Sequence, residues 1–295
     1  MSLKQKVGVC LLAGSLALNS CASSSQIKEL ENKVSTLEQK ITNINSANQI
    51  RDVDELYLKM IAPTMMVELE LETESKIGAG TVLYSKRNSN TLVYSYVLTA
   101  GHVVYTTAKE FSIEVYQYSS SQERRKKYDA EVIAINNSKD LAVLEIISDN
   151  ELPVGNLIPK NKINEINIFD KVYAVGCPTK DIPMQSYGEL TNKMTSPRKK
   201  DFWRINAPTA HGNSGGGIFL ENTKELIGVL CTGETEEIEH KNKTGGNVPL
   251  RDHYIDIPHL SIMTSPDAIY SFLEEENLQF IYDSNFSRDE WSERR

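Results

Sequence analysis

Short β-rich runs separated by turn residues fill the chain from about Leu56 to about Tyr282. Each run is four to six residues of mainly branched, aromatic or alternating apolar side chains, as at residues 80–84, 95–99, 111–116, 130–135, 141–146, 171–175 and 225–230. This spacing predicts an all-β sandwich or barrel and disfavours alternating strand–helix units. Ser265 and Pro266 supply a cap and a first-turn proline, so a helix is expected to close this domain at its C-terminal end.

The N-terminus has the pattern of a secretory signal. Lys4 and Lys6 precede an apolar run at residues 7–18 that is too short to span a bilayer. The run ends in Leu18-Asn19-Ser20-Cys21, which resembles a bacterial lipobox. We therefore expect residues 1–20 to be removed and Cys21 to carry a lipid, the alternative being a plain signal with a chance cysteine.

A lipid on Cys21 predicts a location in the bacterial cell envelope. Attachment would come from the acyl chains, because no basic patch follows the cysteine. Ala22 stands where an aspartate would retain such a protein at the inner membrane. The outer membrane or its periplasmic face is therefore expected if the source has two membranes.

The segment after the lipidated spacer has the heptad pattern of a coiled coil. Apolar residues recur at intervals of three and four between residues 27 and 44, namely Ile27, Leu30, Val34, Leu37, Ile41 and Ile44. Residues 21–55 are thus expected to form a spacer and stalk. The pattern favours a parallel dimer and leaves a trimer open, and the segment could instead be a single amphipathic helix lying on the domain.

Charge and cysteine content limit the possible classes of function and the possible disulfides. The chain has 32 basic and 40 acidic residues, a formal net charge of −8, which disfavours binding to nucleic acid. Cys10 would leave with the signal and Cys21 would be acylated. Cys177 and Cys231 remain, and they could form one disulfide in an oxidising envelope or be two buried thiols.

Three short segments carry candidate chemistry. His102 follows a strand in Thr99-Ala100-Gly101-His102-Val103, and Asp140 precedes the strand at residues 141–146. Ser214 is embedded in glycines within residues 211–217. Each segment alone has an ordinary explanation, and a phosphate-binding loop would need the lysine that is missing after the glycines.

Together, and in this order, the three segments resemble the trypsin-like (chymotrypsin-fold) serine proteases, especially bacterial HtrA-type and glutamyl endopeptidases. The resemblance covers most of Gly78–Pro258 and implies two six-stranded antiparallel β-barrels within a protease domain at residues 56–282. A polar tail at 283–295 would follow the terminal helix. Too few residues remain for the PDZ domain of HtrA-type enzymes, so none is expected.

The resemblance implies an endopeptidase that works through an acyl-enzyme. Ser214 would be the nucleophile, His102 its general base, and Asp140 the group that orients the imidazole. The amides of Gly212 and Ser214 would form the oxyanion hole. No cofactor is expected, and neither an HExxH nor a paired CxxC motif suggests a metal.

Substrate preference follows from the family's pocket positions. Pro208 replaces the aspartate that binds basic side chains, and Leu230 replaces the histidine that binds acidic ones. With Thr232 and Gly233 beyond, this pocket suggests a small or aliphatic residue before the cleaved bond. Asp256 could instead face inward and select Lys or Arg, or it could point to solvent.

Two other classes of function remain open. One is an inactive or latent protease fold that binds peptides without cleaving them. The other is a coiled-coil scaffold that carries the barrel domain as cargo. The predicted partners are a protein or peptide substrate, the membrane through Cys21 and a second copy of the chain through residues 27–44.

Overall fold

A computed structural model describes residues 32–37, 39, 55–88, 91–118, 125–178, 182–194, 200–241 and 247–293. Within these ranges the side chains of residue 125 and of residues 232–259 are not described. The chain divides into residues 1–54 and 55–295. In the first unit, residues 32–37 are helical, and Thr36 donates a hydrogen bond from Oγ1 to the Asn32 carbonyl.

Most of the predicted N-terminal features lie outside the described residues. They include the signal at 1–20, Cys21 and the rest of the heptad segment at 27–44, so the lipid, the stalk and its oligomeric state stay predictions. Across the described ranges, none of the helices has both the length and the apolar character that a membrane span requires.

Two closed antiparallel β-barrels make up the second unit, as predicted. The first barrel has the strand order β1-β2-β3-β6-β5-β4, with β1 Thr64–Leu71, β2 Ser75–Arg87, β3 Val93–Thr99, β4 Phe111–Tyr118, β5 Arg125–Asn136 and β6 Leu141–Ser148. The second has the order β10-β11-β12-β9-β8-β7, with β7 Lys171–Gly176, β8 Met184–Asn192, β9 Phe202–Ile205, β10 Gly217–Leu220, β11 Leu226–Lys241 and β12 Asn247–Thr264.

The central strands of the first barrel show why its sequence forms a core. In β3 and β6, Val97 pairs with Leu144 and Leu98 with Val143, and all four side chains are buried. Branched and aliphatic residues fit the pleated surface of a strand and remove apolar area from water. Since β3 ends just before His102 and β6 begins just after Asp140, this core fixes the backbone on which the two catalytic candidates lie.

Helices are few and lie at the ends of the barrels. The described domain has α1 Gly101–Val104, α2 Pro266–Glu275 and α3 Arg288–Glu293, a π-helical turn at Tyr57–Ile61, and 3₁₀ turns at Lys160–Glu165 and Gln279–Ile281. As predicted, α2 begins at a capping serine: Ser265 Oγ accepts a hydrogen bond from the amide of Ala268.

The C-terminal segment returns to the first barrel after completing the second. Ile269, Phe272 and Phe280 belong to the same buried cluster as the interior of the first barrel. The stretch 283–295, expected to be a polar tail, contains α3, whose Trp291 is 9% exposed and packs against Tyr96. The domain therefore closes by covering the barrel with which it began.

Candidate active site

His102 is held at the surface by a single turn of helix. The strand β3 ends at Thr99, and α1 follows at once. Val103 and Val104 are buried in the first-barrel core and anchor the turn, whereas the side chain of His102 is 47% exposed. The imidazole is thus fixed through its backbone while its ring stays open to a substrate.

Asp140 faces His102 from the turn before β6. The His102 Nδ1 atom lies 2.8 Å from Asp140 Oδ2 and 3.0 Å from Oδ1. The backbone amide of His102 also donates to Oδ1, at 2.8 Å. One carboxylate therefore orients both the ring and the backbone of the histidine, which leaves Nε2 as the free ring nitrogen.

The carboxyl of Asp140 is kept ionised by His102. Burial raises its pKa, but hydrogen bonds from the ring and amide of His102, together with the charge of the imidazolium, lower it by more. The net pKa lies below the ordinary value of an aspartate. An anion next to Nδ1 is what a histidine needs to accept a proton at Nε2.

Ser214 lies in a turn that requires glycine on both sides. Gly212 and Gly215 have φ values of +94° and +83°, a region that side chains rarely adopt. A Cβ at Gly212 would lie 2.3 Å from the carbonyl oxygen of Cys177, and one at Gly215 would lie 2.2 Å from that of Ala79. The turn can be this tight only because both residues lack side chains.

The same turn leaves two amides unused. Neither the Gly212 nor the Ser214 N–H has a hydrogen-bond acceptor among the residues that the structure describes, whereas the Asn213 amide donates to the Ala210 carbonyl. The Ser214 carbonyl accepts from the Ala79 amide at 2.7 Å, which ties the turn to β2 of the first barrel. Two free donors beside one serine hydroxyl can bind a developing oxyanion.

The Ser214 hydroxyl is hydrogen-bonded to a backbone carbonyl. Its Oγ donates to the carbonyl oxygen of Cys231 at 3.1 Å. Within the described part of the chain, no hydrogen bond joins Ser214 Oγ to His102. The His102–Asp140 pair is therefore assembled, whereas the Ser214 hydroxyl is hydrogen-bonded elsewhere.

Cys177 and Cys231 are separate buried thiols. The sequence left open a disulfide between them or two thiols, and the structure has two thiols. Cys177 packs with Met66 and Ala79. Cys231 lies beneath the catalytic candidates, with its Sγ 3.1 Å from Thr264 Oγ1. Burial raises the pKa of the Cys231 thiol, and the negative charge of Asp140 raises it further.

The predicted specificity residues are only partly described. Pro208 is exposed, and Leu230 is buried in the core of the second barrel. The side chains of Thr232 and Asp256 are outside the described set, as is the exposure of Gly233. The strands of these residues pair: Thr232 with Ile262, Gly233 with Ser261, and Thr235 with Asp256. The pocket roles of these residues therefore stay predictions.

Sequence reasoning missed a pair of hydroxyls next to these positions. Thr209 Oγ1 and Ser261 Oγ are 2.7 Å apart, and Ser261 is buried opposite both Gly233 and Ile205. Thr209 comes five residues before Ser214, so its position could have been noted from the sequence. Ser261 could not, because a bulge in the pairing between Gly233 and Thr235 shifts the register of β12.

Three carboxylates converge elsewhere on the first barrel. Oxygen atoms of Glu68, Glu70 and Glu114, on β1 and β4, lie within 4.8 Å of one another. Glu114 accepts a hydrogen bond from the Tyr116 hydroxyl at 2.5 Å and forms an ion pair with Lys127. These contacts account for the most buried member of the cluster without a metal.

Comparison with known proteins agrees with this geometry. A family model described as "Trypsin-like peptidase domain" matches residues 78–229, a span that contains His102, Asp140 and Ser214. The structure is similar to that of a serine endoprotease from Yersinia pestis, with 20% sequence identity and a TM-score of 0.52. The match covers 77% of this chain and 66% of that one. No curated protein sequence matches the chain.

Proposed function

Because the chain belongs to the trypsin-like peptidase family, we propose that it is a serine endopeptidase that cleaves proteins or peptides through an acyl-enzyme. The observation that carries the proposal is the bond between His102 Nδ1 and the Asp140 carboxylate, in a chain whose Ser214 has two unused amides beside it. These are the parts that acyl transfer by a serine hydroxyl requires.

The reaction begins when the Ser214 hydroxyl leaves the Cys231 carbonyl and turns to His102. Oγ then attacks the carbonyl carbon of the scissile bond, and its proton moves to Nε2 of His102. The oxygen of that carbonyl becomes negatively charged and is bound by the N–H groups of Gly212 and Ser214. Such a donor contributes about 3 to 4 kcal/mol of transition-state stabilisation in enzymes where one has been removed.

Breakdown of the first intermediate releases the amine product. His102 returns its proton to the leaving nitrogen as the C–N bond breaks, which leaves the acyl group on Ser214 Oγ. A water molecule then attacks the ester and gives one proton to His102. The bond between the acyl carbon and Ser214 Oγ breaks, the acid product leaves, and His102 returns the proton to Oγ. Asp140 stays ionised throughout and stabilises the imidazolium in both half-reactions.

Hydrolysis of a mixed peptide library tests the proposed activity. Purified wild-type protein should cleave a subset of peptides at one type of bond, and Ser214→Ala should cleave none of them at a comparable rate. Cleavage that is equal in the two proteins would assign the activity to another residue or to a contaminant.

A preference for small or aliphatic residues before the scissile bond is proposed for the same site. The support is Leu230 in place of a histidine that would bind acidic side chains, together with the hydrogen-bonded Thr209–Ser261 hydroxyls, since Ser261 pairs with Gly233 of the predicted pocket. Ser261→Gly should widen the accepted residues toward larger side chains. Asp256→Ala should leave the cleavage profile unchanged, and loss of cleavage after Lys or Arg in that variant would assign Asp256 to the pocket.

Attachment to the cell envelope through Cys21 is likewise a proposal that rests on the sequence. Leu18-Asn19-Ser20-Cys21 supports cleavage before a lipidated cysteine, and residues 27–44 support a helical spacer that pairs copies of the chain. Cys21→Ser should move the protein from the membrane fraction to the soluble fraction. Sedimentation with and without residues 27–44 would measure the number of copies.

One observation favours a second candidate function, a peptide-binding module that is latent or inactive. Ser214 Oγ is bonded to the Cys231 carbonyl, so the serine is not activated in this state. A latent module would bind library peptides tightly without releasing products. Turnover of any bound peptide would exclude this candidate.

A further inference from the structure

The backbone conformation of Asp140 sets the direction of its carboxylate. Its φ is +51°, in the left-handed region, which aspartate adopts more readily than most residues with a Cβ. In this conformation the carboxylate accepts hydrogen bonds from both the ring and the amide of His102. Because the turn before β6 carries this carboxylate, the contacts of the neighbouring residues bear on its position relative to His102.

The turn is braced on its N-terminal side by an asparagine. Asn136 Oδ1 accepts from the amides of Ser138 and Lys139, each at 3.1 Å, and from the Ser138 hydroxyl at 2.7 Å. This local motif closes the turn, as Asx turns do. These hydrogen bonds involve no residue after Lys139, so the direction of the Asp140 side chain depends on other contacts.

Lys139, the residue before Asp140, is held by the C-terminal half of the chain. Its Nζ lies 2.5 Å from each carboxylate oxygen of Glu275, the last residue of α2. Its carbonyl accepts a hydrogen bond from Thr264 Oγ1 at 2.9 Å. Both the backbone and the side chain of this residue are therefore fixed from outside its own barrel.

The ion pair is better placed than an ordinary surface pair. The Lys139 side chain is 13% exposed and the Glu275 side chain 50% exposed, and Ser271 donates to Glu275 Oε1 at 2.8 Å. The serine orients the glutamate toward Lys139 from one helical turn earlier. A partly exposed pair adds little to folding stability, but it can set the direction of the residue that follows it.

We propose that the Lys139–Glu275 ion pair positions Asp140, so that α2 braces the catalytic carboxylate against His102. Lys139 and Glu275 are positioning residues, because they act through Asp140 and touch no reacting atom. The inference deepens the proposed peptidase function and rests on it for the kinetic part of its test. A displacement of about 1 Å in a catalytic group can cost roughly a hundredfold in rate.

The helix supplies a matched control in its neighbouring residue. Glu274 forms an ion pair with Lys160, of the 3₁₀ turn Lys160–Glu165, from the same last turn of α2, and it also accepts a hydrogen bond from the Tyr282 hydroxyl. The Glu274 side chain is 43% exposed, close to the 50% of Glu275, whereas Lys160 is more exposed than Lys139. Glu274→Gln thus removes the same chemistry one position away without touching the Asn136–Asp140 turn.

Steady-state kinetics should separate the two glutamates. We expect Glu275→Gln to lower kcat about tenfold with KM unchanged, and Glu274→Gln to stay within about twofold of wild type. Lys139→Met should lower kcat by about the same factor as Glu275→Gln. Lys139→Arg should retain most of the wild-type kcat because the guanidinium can still bind Glu275. Equal kcat values for Glu275→Gln and Glu274→Gln would overturn the proposal.

A spectroscopic measurement tests the brace even if no peptide is cleaved. The proton between His102 Nδ1 and Asp140 should give a low-field proton NMR signal, which Asp140→Asn would identify. That signal should be retained in Glu274→Gln and shifted or lost in Glu275→Gln, while the melting temperatures of the two variants agree. An unchanged signal in Glu275→Gln would refute the brace, whereas absence of turnover in the wild type would refute only the proposed function.

Discussion

At the scale of single residues, Gly212 is a position of the site that does not accommodate a side chain. A side chain there would need a φ of +94° and would place its Cβ 2.3 Å from the Cys177 carbonyl oxygen. Gly212→Ala should therefore rotate the turn and remove one oxyanion donor, which lowers kcat by about 10²- to 10³-fold. Peptide hydrolysis measures the loss, and a circular dichroism spectrum matching that of the wild type confirms that the variant is folded. Wild-type kcat in Gly212→Ala would show that this amide has no catalytic role.

The lowered pKa of Asp140 predicts a dependence of stability on pH. Because the folded state holds this carboxyl ionised more strongly than the unfolded state, its contribution is complete above the unfolded pKa, about 4, and is lost as the pH falls through the lower folded pKa. In Asp140→Asn the free energy of unfolding should vary less between about pH 5 and pH 2. Urea denaturation at a series of pH values measures the difference. Parallel curves for the two proteins would contradict the inferred pKa shift.

Some residues of the site could be found in the sequence and others could not. Short local motifs contain His102, Asp140 and Ser214, and such motifs can be recognised in the sequence without knowing how the strands pair. Thr209 and Ser261 meet across strands, and Lys139 meets Glu275 over a separation of 136 residues. Contacts of that kind depend on strand register and on the path of the C-terminal segment, and neither can be derived from local pattern.

At the scale of elements, the first residue of α2 was predicted from the sequence, whereas the contact made by its last residue was not. Ser265 was expected to cap it, and the hydroxyl does accept the Ala268 amide. The other end of the helix contacts Lys139, the residue before Asp140, through Glu275, which the amphipathic pattern alone does not reveal. The cap and the brace are thus separated by the length of one helix.

Loss of the cap should weaken the domain by a measurable amount. Ser265→Ala leaves the first amides of α2 without a side-chain acceptor, and we expect the free energy of unfolding to fall by about 1 kcal/mol. Denaturant unfolding measures this, with Ser284→Ala, at an exposed position of the C-terminal segment, as a control that should stay within about 0.5 kcal/mol of wild type. Equal stability of the two variants would show that the cap contributes nothing.

The strands were predictable as a class but not in their pairing. Short runs of branched and aromatic residues indicate where β3 and β6 lie, and both faces of these two strands are largely buried. Their adjacency in the barrel order β1-β2-β3-β6-β5-β4 joins strands that are not consecutive in the chain, and periodicity alone does not predict such a pairing. The bulges in β11 and β12 shift register and so hide which residues face each other.

At the scale of the whole domain, the C-terminal segment ties the two barrels into one unit. After the second barrel, α3 returns Trp291 to the first, where it packs against Tyr96 and Phe280. Arg288 donates to the Tyr96 hydroxyl at 3.0 Å and to Glu145 at 3.3 Å. A segment predicted as polar from its composition therefore has one buried anchor, Trp291, and one partly buried ion pair, Arg288–Glu145.

Removal of the anchor should destabilise the domain as a core substitution does. Trp291→Ala is expected to lower the free energy of unfolding by about 3 to 5 kcal/mol, because it exposes Tyr96 and Phe280 and leaves a cavity. Phe286→Ala changes an exposed aromatic residue of the same segment and should cost less than about 1 kcal/mol. Denaturant unfolding of both variants measures the contrast, and similar losses in the two would contradict the closing role of the segment.

The central claim is that Ser214 is a nucleophile activated by His102 and Asp140. The most direct measurement is labelling with a fluorophosphonate, followed by mass spectrometry of the intact protein and of its peptides. The account predicts one adduct on wild-type protein, located at Ser214, with labelling absent in Ser214→Ala and strongly slowed in His102→Ala. A folded wild-type protein that acquires no adduct, or one that is labelled at another residue, would contradict it.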